Sequence, residues 1–409
     1  MSPDVLVTGF GVRTAFGPGA EALRRGVFSG VPAFAPTTRF DTGPYRTPMA
    51  AAAPDGPDAV EDWALRHALA QCGTEALDMA GLGPGTEAAV LLGVAGDCTS
   101  VTRYWRSAGP GGDAPDARPG DTRPAADTHS APDTHRAADA VPARLAELLA
   151  ERLKSTGPRL AFTNACVASA AAIIHACRLI SSGRTELAVC AGGYLVEEET
   201  FGKFDSGRAL SRDGRVRPFS AHRTGLLLGD GVAAVVLESA AHARRRGARP
   251  LVAVTGWGAA TDAHHIAQPH PEGIGLTRAA RQALRLAGDP DGDAVGYVNA
   301  HGTGTKYNDG AETRGLRAAF PRRAEAIPVS STKSTTGHLL EAAGVVEFVI
   351  TALALMDGVL PPTAGYDRPD PECDLDYVPN RPRRADLRRA LTINAAFGGA
   401  NTALVLERP

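Results

Sequence analysis

The hydrophobic pattern of this chain repeats itself. Val5 to Gly11 (VLVTGFG) returns as Val252 to Gly258 (VAVTGWG), each a β-rich run closing on a Gly-aromatic-Gly turn. Leu187 to Gly193 (LAVCAGG), an apolar strand ending in two glycines, is echoed by Leu391 to Gly399 (LTINAAFGG). Inside each pair lies a strand-to-helix unit, Phe162 to Ile180 in the first and Val329 to Leu355 in the second. Two echoes in the same order predict a duplicated α/β half joined near residue 250. We therefore expect an N-terminal half over 1–250 and a C-terminal half over 251–409.

Helical spacing marks Glu61 to Ala80, which stops at Gly81, and Pro142 to Leu153, with its proline in the first turn. Strand and helix alternate through most of the chain, the pattern of an α/β layered fold with largely buried sheets. One stretch departs from this. Residues 107–140 are rich in Pro, Gly, Asp, Ala and Thr and carry almost no large apolar side chain, so they read as a long flexible loop. His129 and His135 within it read as solvated loop histidines.

Composition narrows the functional classes. The 409 residues are 44% hydrophobic and 22% charged, with a formal net charge of -2, which predicts no general attraction to nucleic acid or to an anionic membrane. No apolar run approaches the roughly 20 residues of a spanning helix, and the N-terminus has no basic region before an apolar one. We expect a cytoplasmic protein. Six scattered cysteines without a Cys-x-x-Cys pair make neither a disulfide framework nor a zinc site, and the plain reading of each is a small buried hydrophobe.

Four places carry candidate chemistry. At Cys166 a β-like run stops and a small-residue helix begins, so a thiol there meets the positive end of a helix dipole, which favours thiolate. His301 ends the strand Val295 to Ala300 and is followed by Gly302 and Gly304, with hydroxyls at Thr303 and Thr305. Lys333 and His338, five residues apart around a helix start, can point into one cavity. Glu347 lies in the apolar helix beyond them and needs a partner, for which Lys333 is one candidate. Last, Phe397 precedes Gly398 and Gly399, a double glycine of the kind that leaves a backbone N–H free for an oxyanion. Each signal alone has a bland alternative, from a buried structural cysteine to an ordinary glycine turn.

Together and in this order, NACVASA, HGTGT, KSTTGH and FGGAN resemble the motifs of the elongating β-ketoacyl-ACP synthases of the thiolase superfamily. The likeness spans nearly the whole chain, through the opening VLVTGFGVRTAFG, Arg208 to Ser211, Arg217 to Ser220, Gly229 to Gly231, Thr261 to His265, and Asn308, Asp309 and Glu312. It implies a thiolase-like five-layered α/β/α/β/α fold of two duplicated halves. Cys166 would take an acyl group from an acyl carrier protein. His301 and His338 would stabilise the enolate formed when a malonyl thioester loses carbon dioxide. Lys333 would order the second histidine, and Glu347, Asp309 and Glu312 would give structural support. The backbone N–H groups of Cys166 and Phe397 would hold the oxyanion, with Phe397 also a gate, and Thr303 and Thr305 would hold the pantetheine arm. The resemblance implies no metal and no cofactor of the chain's own, because the phosphopantetheine belongs to the carrier protein. It also implies a homodimer, or a heterodimer with a chain-length-factor-like subunit. Two departures stand out: Ala395-Ala396 before Phe397, where the family usually has Phe-Gly, and Glu341, where a small residue is common.

Other readings differ in class. A thiolase needs a second catalytic cysteine near the C-terminus, and Cys373 there lacks glycine-flanked context. A non-catalytic chain-length-factor-like subunit usually lacks the cysteine. A ketosynthase-like acyltransferase would pass the acyl group from Cys166 to an alcohol or amine. The odd 107–140 segment and the altered gate tilt the expectation from fatty acid synthesis toward specialised polyketide synthesis.

Overall fold

The computed structural model describes residues 5–54, 64–98 and 138–409. Five strands of the first half, β1 (Val5–Thr14), β2 (Ala89–Gly93), β3 (Arg159–Phe162), β4 (Leu187–Tyr194) and β5 (Gly231–Ser239), lie side by side in the order β3-β2-β4-β5-β1. The second half contributes β6 (Val252–Thr261), β7 (Val295–Asn299), β8 (Val329–Ser330), β9 (Arg389–Ala395) and β10 (Ala400–Glu407), in the order β8-β7-β9-β10-β6. Numbered within each half, both orders are third, second, fourth, fifth, first. The directions match too: the pairs at the third-strand end are parallel and those at the first-strand end antiparallel. β1 pairs with β6 through Val5 and Val254, which joins the two sets edge to edge.

The period of two along these strands builds the layers. In β5, Ala233, Val235 and Leu237 face a central core, while Val232, Ala234 and Val236 face an outer one. The outer core is closed by helices α1 (Leu65–Met79) and α2 (Pro142–Leu153). On β10, Leu404 and Leu406 face the same central core, and Ala403 and Val405 face a third, with helix residues from Ile274–Leu286 and Lys306–Ala319. The middle layer is α3 (Ala168–Ser181) and the long apolar helix Ala343–Asp357. The chain is thus a five-layered α/β/α/β/α fold. In chain order, further helices are α4 (Glu198–Ser206), α5 (Ile274–Leu286), α6 (Lys306–Ala319) and α7 (Ala343–Asp357).

The repeated Gly-aromatic-Gly motif is not a turn, contrary to its sequence reading. Its glycines sit inside β1 and β6, where a helix lies directly across the strand. A Cβ on Gly11 would come 2.2 Å from the Cys72 carbonyl oxygen of α1, and one on Gly258 would come 2.0 Å from the Ala279 carbonyl oxygen of α5. Only hydrogen at these positions lets helix and sheet backbones meet. The aromatic between them, Phe10 or Trp257, packs on the opposite, central side.

Helix α2 has the bounds its pattern predicts, and α1 begins at Leu65, with Glu61 outside the described residues. Of the expected flexible loop, 107–137, with His129 and His135, lies outside the described residues, and Ala138 to Ala140 lead into α2. Among the described residues no helix is long and apolar enough to cross a membrane.

Candidate active site

Cys166 stands in a tight turn, Ala165–Val167, between β3 and α3. Ala165 holds φ at 51°, a left-handed conformation that a residue with a Cβ adopts only where its surroundings enforce it. The bend aims the thiol into the protein, where Cys166 is buried. His338 arrives from the other half. Its backbone N–H donates to the Leu227 carbonyl at 2.7 Å, and its Nε2 lies 3.1 Å from Cys166 Sγ. The His301 ring stands edge-on to that of His338, centroids 5.4 Å apart. The fold therefore collects Cys166, His301 and His338 from three separate connections.

The loop carrying His301 is held by two buried carboxylates of α6. Glu312 accepts the backbone N–H groups of His301 and Gly302, each at 2.7 Å. Asp309 accepts from Phe219 N at 2.8 Å and Gly304 N at 3.2 Å. Arg223 Nε lies 3.9 Å from Asp309 and donates to the Thr305 carbonyl at 3.3 Å. The segment Arg217 to Arg223 thus braces the threonine loop. Thr303 and Thr305 hydroxyls meet at 2.9 Å on the cavity wall.

Lys333 is buried, and its Nζ donates to Glu347 Oε1 at 2.5 Å, so Glu347 has the partner its place in an apolar helix demands. Asn394 Nδ2 supplies Glu347 Oε2 at 2.6 Å. Burial pushes the Glu347 carboxyl up, and Lys333 with the Asn394 hydrogen bond holds it down.

Electrostatics correct one expectation. Burial pushes the Cys166 thiol up to about 12, with the nearby Glu341 adding to it and Lys333 opposing it. Loss of water is the largest influence on the sulfur and favours the thiol, and α3 begins only two residues further on. Both histidines are held well below their ordinary value, by burial first and Lys333 next. They are neutral imidazoles at neutral pH. Glu312 is pushed up to about 7 by burial, against the two amides that favour its charged form.

Phe397 occupies a turn whose Gly398 and Gly399 take φ of 81° and 79°. It is 51% exposed and stacks on Phe204 of α4 at 5.6 Å, and Phe204 in turn stands edge-on to His338 at 6.4 Å. A cavity of about 1010 Å³ opens onto Cys166, His301, His338, Thr303, Thr305 and Phe397. Sequence reasoning missed Phe204. Its signal was Phe201 and Phe204 one helical turn apart in α4, the first fully buried and the second turned to the site. Among the described residues no group of three or more His, Cys, Asp or Glu side chains could hold a metal ion.

Comparison with known proteins gives the family. Residues 2–243 match the family described as "Beta-ketoacyl synthase, N-terminal domain", and residues 251–367 match "Beta-ketoacyl synthase, C-terminal domain". The chain is similar to the "Tetracenomycin polyketide synthase ketoacyl synthase alpha subunit" of Streptomyces glaucescens, 34% identical over 99% of this chain and 97% of the relative. It is 31% identical to a "3-oxoacyl-[acyl-carrier-protein] synthase 2" of Coxiella burnetii, over 99% of this chain and 98% of that one. Among solved structures, "The ishigamide ketosynthase/chain length factor" superposes with a TM-score of 0.87 at 30% identity, covering 100% of this chain and 99% of that chain. A β-ketoacyl synthase from Burkholderia phymatum gives 0.86 at 27% identity, covering 100% of both.

Proposed function

Since the chain belongs to the β-ketoacyl synthase family, whose members are condensing acyltransferases, we propose that Cys166, His301 and His338 carry out its condensation as follows. The observation that carries this reading is the 3.1 Å approach of His338 Nε2 to the Cys166 thiol, with neutral His301 beside it. An acyl thioester on a carrier protein enters the cavity between Thr303 and Phe397. As the thiol attacks the carbonyl carbon its proton leaves for His338, which supplies locally the thiolate that burial withholds. The tetrahedral oxyanion rests on the backbone N–H groups of Cys166 and Phe397. Its collapse breaks the carrier's C–S bond, and the carrier sulfur takes the proton.

A malonyl thioester then binds with its thioester oxygen facing His301 and His338. Carbon dioxide leaves with its C–C bond electrons delocalised as an enolate, whose oxygen accepts hydrogen bonds from the two imidazole N–H groups. The enolate carbon attacks the acyl-Cys166 carbonyl. Expulsion of the Cys166 thiolate, which is reprotonated, releases a 3-ketoacyl thioester. Neutral histidines suit this step, because decarboxylation requires a place for negative charge and no strong base. Lys333 and Glu347 orient His338, while Asp309 and Glu312 fix the backbone behind His301.

We place the reaction in specialised polyketide synthesis, in the cytoplasm, with an acyl carrier protein as donor. Support comes from likeness to the tetracenomycin alpha subunit and the ishigamide structure. β3, an edge strand with Leu160 38% exposed, suits pairing with a second copy or a chain-length-factor-like subunit. Incubation with malonyl- and acyl-carrier protein tests the proposal through carbon dioxide release and mass on Cys166. Acylation, malonyl-dependent decarboxylation and a product longer by two carbons are expected. Acyl transfer to an alcohol or amine without decarboxylation would replace this reading with the acyltransferase one.

A further inference from the structure

The two middle-layer helices begin in the same way. In the first half a left-handed residue, Ala165 at φ 51°, is followed by Cys166 and then α3. In the second half a left-handed residue, Leu340 at φ 44°, is followed by Glu341 and then α7. The two turns, Ala165–Val167 and Leu340–Ala342, pack against each other. Glu341 is therefore the counterpart of the nucleophile, carried to the thiol by the same strained bend from the opposite half. The mechanism above makes no use of it.

Its neighbourhood is polar in an unusual way. Burial pushes the Glu341 carboxyl up, yet the side chain keeps some solvent access. The turn that carries it also packs on β4, which ends at Tyr194. Tyr194 is only 7% exposed, and its hydroxyl has no hydrogen-bond partner although no solvent reaches it. Glu341 contributes to the field at both Tyr194 and Cys166. By contrast, Glu197 nearby is committed to capping α4 through Glu199 N and Thr200 N. Tyr194 thus offers a buried hydroxyl without a partner and Glu341 a carboxyl whose hydrogen bond is to its own backbone N–H, and neither lines the cavity that carries Thr303 and Thr305.

A saturated chain on Cys166 would leave the Tyr194 hydroxyl unpaired. A hydroxyl both donates and accepts, so it can give its hydrogen to Glu341 and take one from Tyr194. Resting on the reading that Cys166 carries the acyl group, we propose that Glu341 and Tyr194 form a specificity site for acyl thioesters bearing a 3-hydroxyl.

The test is the rate of Cys166 acylation by octanoyl- and by 3-hydroxyoctanoyl-N-acetylcysteamine, followed by intact-protein mass. A site built for a hydroxyl rejects the analogue lacking it, and the wild type should favour the hydroxy substrate by about tenfold or more. Glu341→Gly and Tyr194→Phe should each bring that ratio toward one, Tyr194→Phe by slowing the hydroxy substrate alone. Equal rates in the wild type, or a preference that neither variant changes, would overturn the specificity site while leaving the acyl-acceptor role intact. No acylation by either thioester, in protein whose Cys166 still reacts with iodoacetamide, would overturn the acyl-acceptor reading and this inference with it.

Discussion

The two halves run through the same strands in the same order, yet they bring different chemistry to the cleft. In the first half β3 ends at Phe162 and the bend bearing Cys166 starts at Ala165. In the second half β8 ends at Ser330 and the equivalent bend starts only at Leu340. The residues inserted there carry Lys333 and His338. A duplicated scaffold thus supplies two matching bends, and the longer connection adds the imidazole that one half alone lacks. His301 comes from a third place, the connection from β7 to α6.

Removing the chemistry from one bend should have the largest effect. Cys166→Ala is expected to abolish acyl loading altogether, read as the absence of any mass increment with acyl-carrier protein, while the far-ultraviolet circular dichroism stays that of the wild type. Loading in that variant would show that the nucleophile lies elsewhere.

The carboxylates of Glu347 and Glu341 sharpen the contrast. Lys333→Ala leaves Glu347 buried opposite no cation and should cost about 3–5 kcal/mol in chemical denaturation. Glu341→Ala removes a carboxyl that bonds its own backbone N–H and no other element, so its change in midpoint should be well below that of Lys333→Ala. Equal losses would mean that Glu341 is as structural as Glu347.

Gly11→Ala and Gly258→Ala probe the repeated device itself. Each methyl must displace a helix backbone, and each should cost about 1–3 kcal/mol by denaturant titration. A large loss at one position and none at the other would break the equivalence of the halves.

The smallest effect is in pH. With the Cys166 thiol pushed up to about 12, the thiolate fraction keeps rising throughout the accessible range. Iodoacetamide alkylation of Cys166 should therefore climb with pH and show no plateau up to about pH 10, where an ordinary thiol of pKa near 8.5 has levelled off. A plateau below pH 8 would mean that the helix start, and not burial, governs the sulfur.

Much of the site was legible in the sequence because its motifs are local. Cys166, His301, Lys333, His338 and Phe397 each sit where a strand gives way to a turn or helix, a place that glycine, small residues and periodicity mark. The Glu347–Lys333 pair was within reach as well, since a carboxylate in an apolar helix demands a cation. Phe204 was not. One aromatic in an amphipathic helix looks like any other until the fold shows which one turns toward the imidazole.

The sequence by itself determined the α/β alternation, the repeat, and the types and order of the candidate site residues along the chain, since these depend on neighbours a few positions apart. Only the tertiary structure decided that the repeated glycines lie under helices, that the cysteine rests as a thiol and that Glu341 answers Cys166 across the cleft. Each of these depends on burial and on contact between residues far apart in the chain, and no local pattern encodes what will be packed against it.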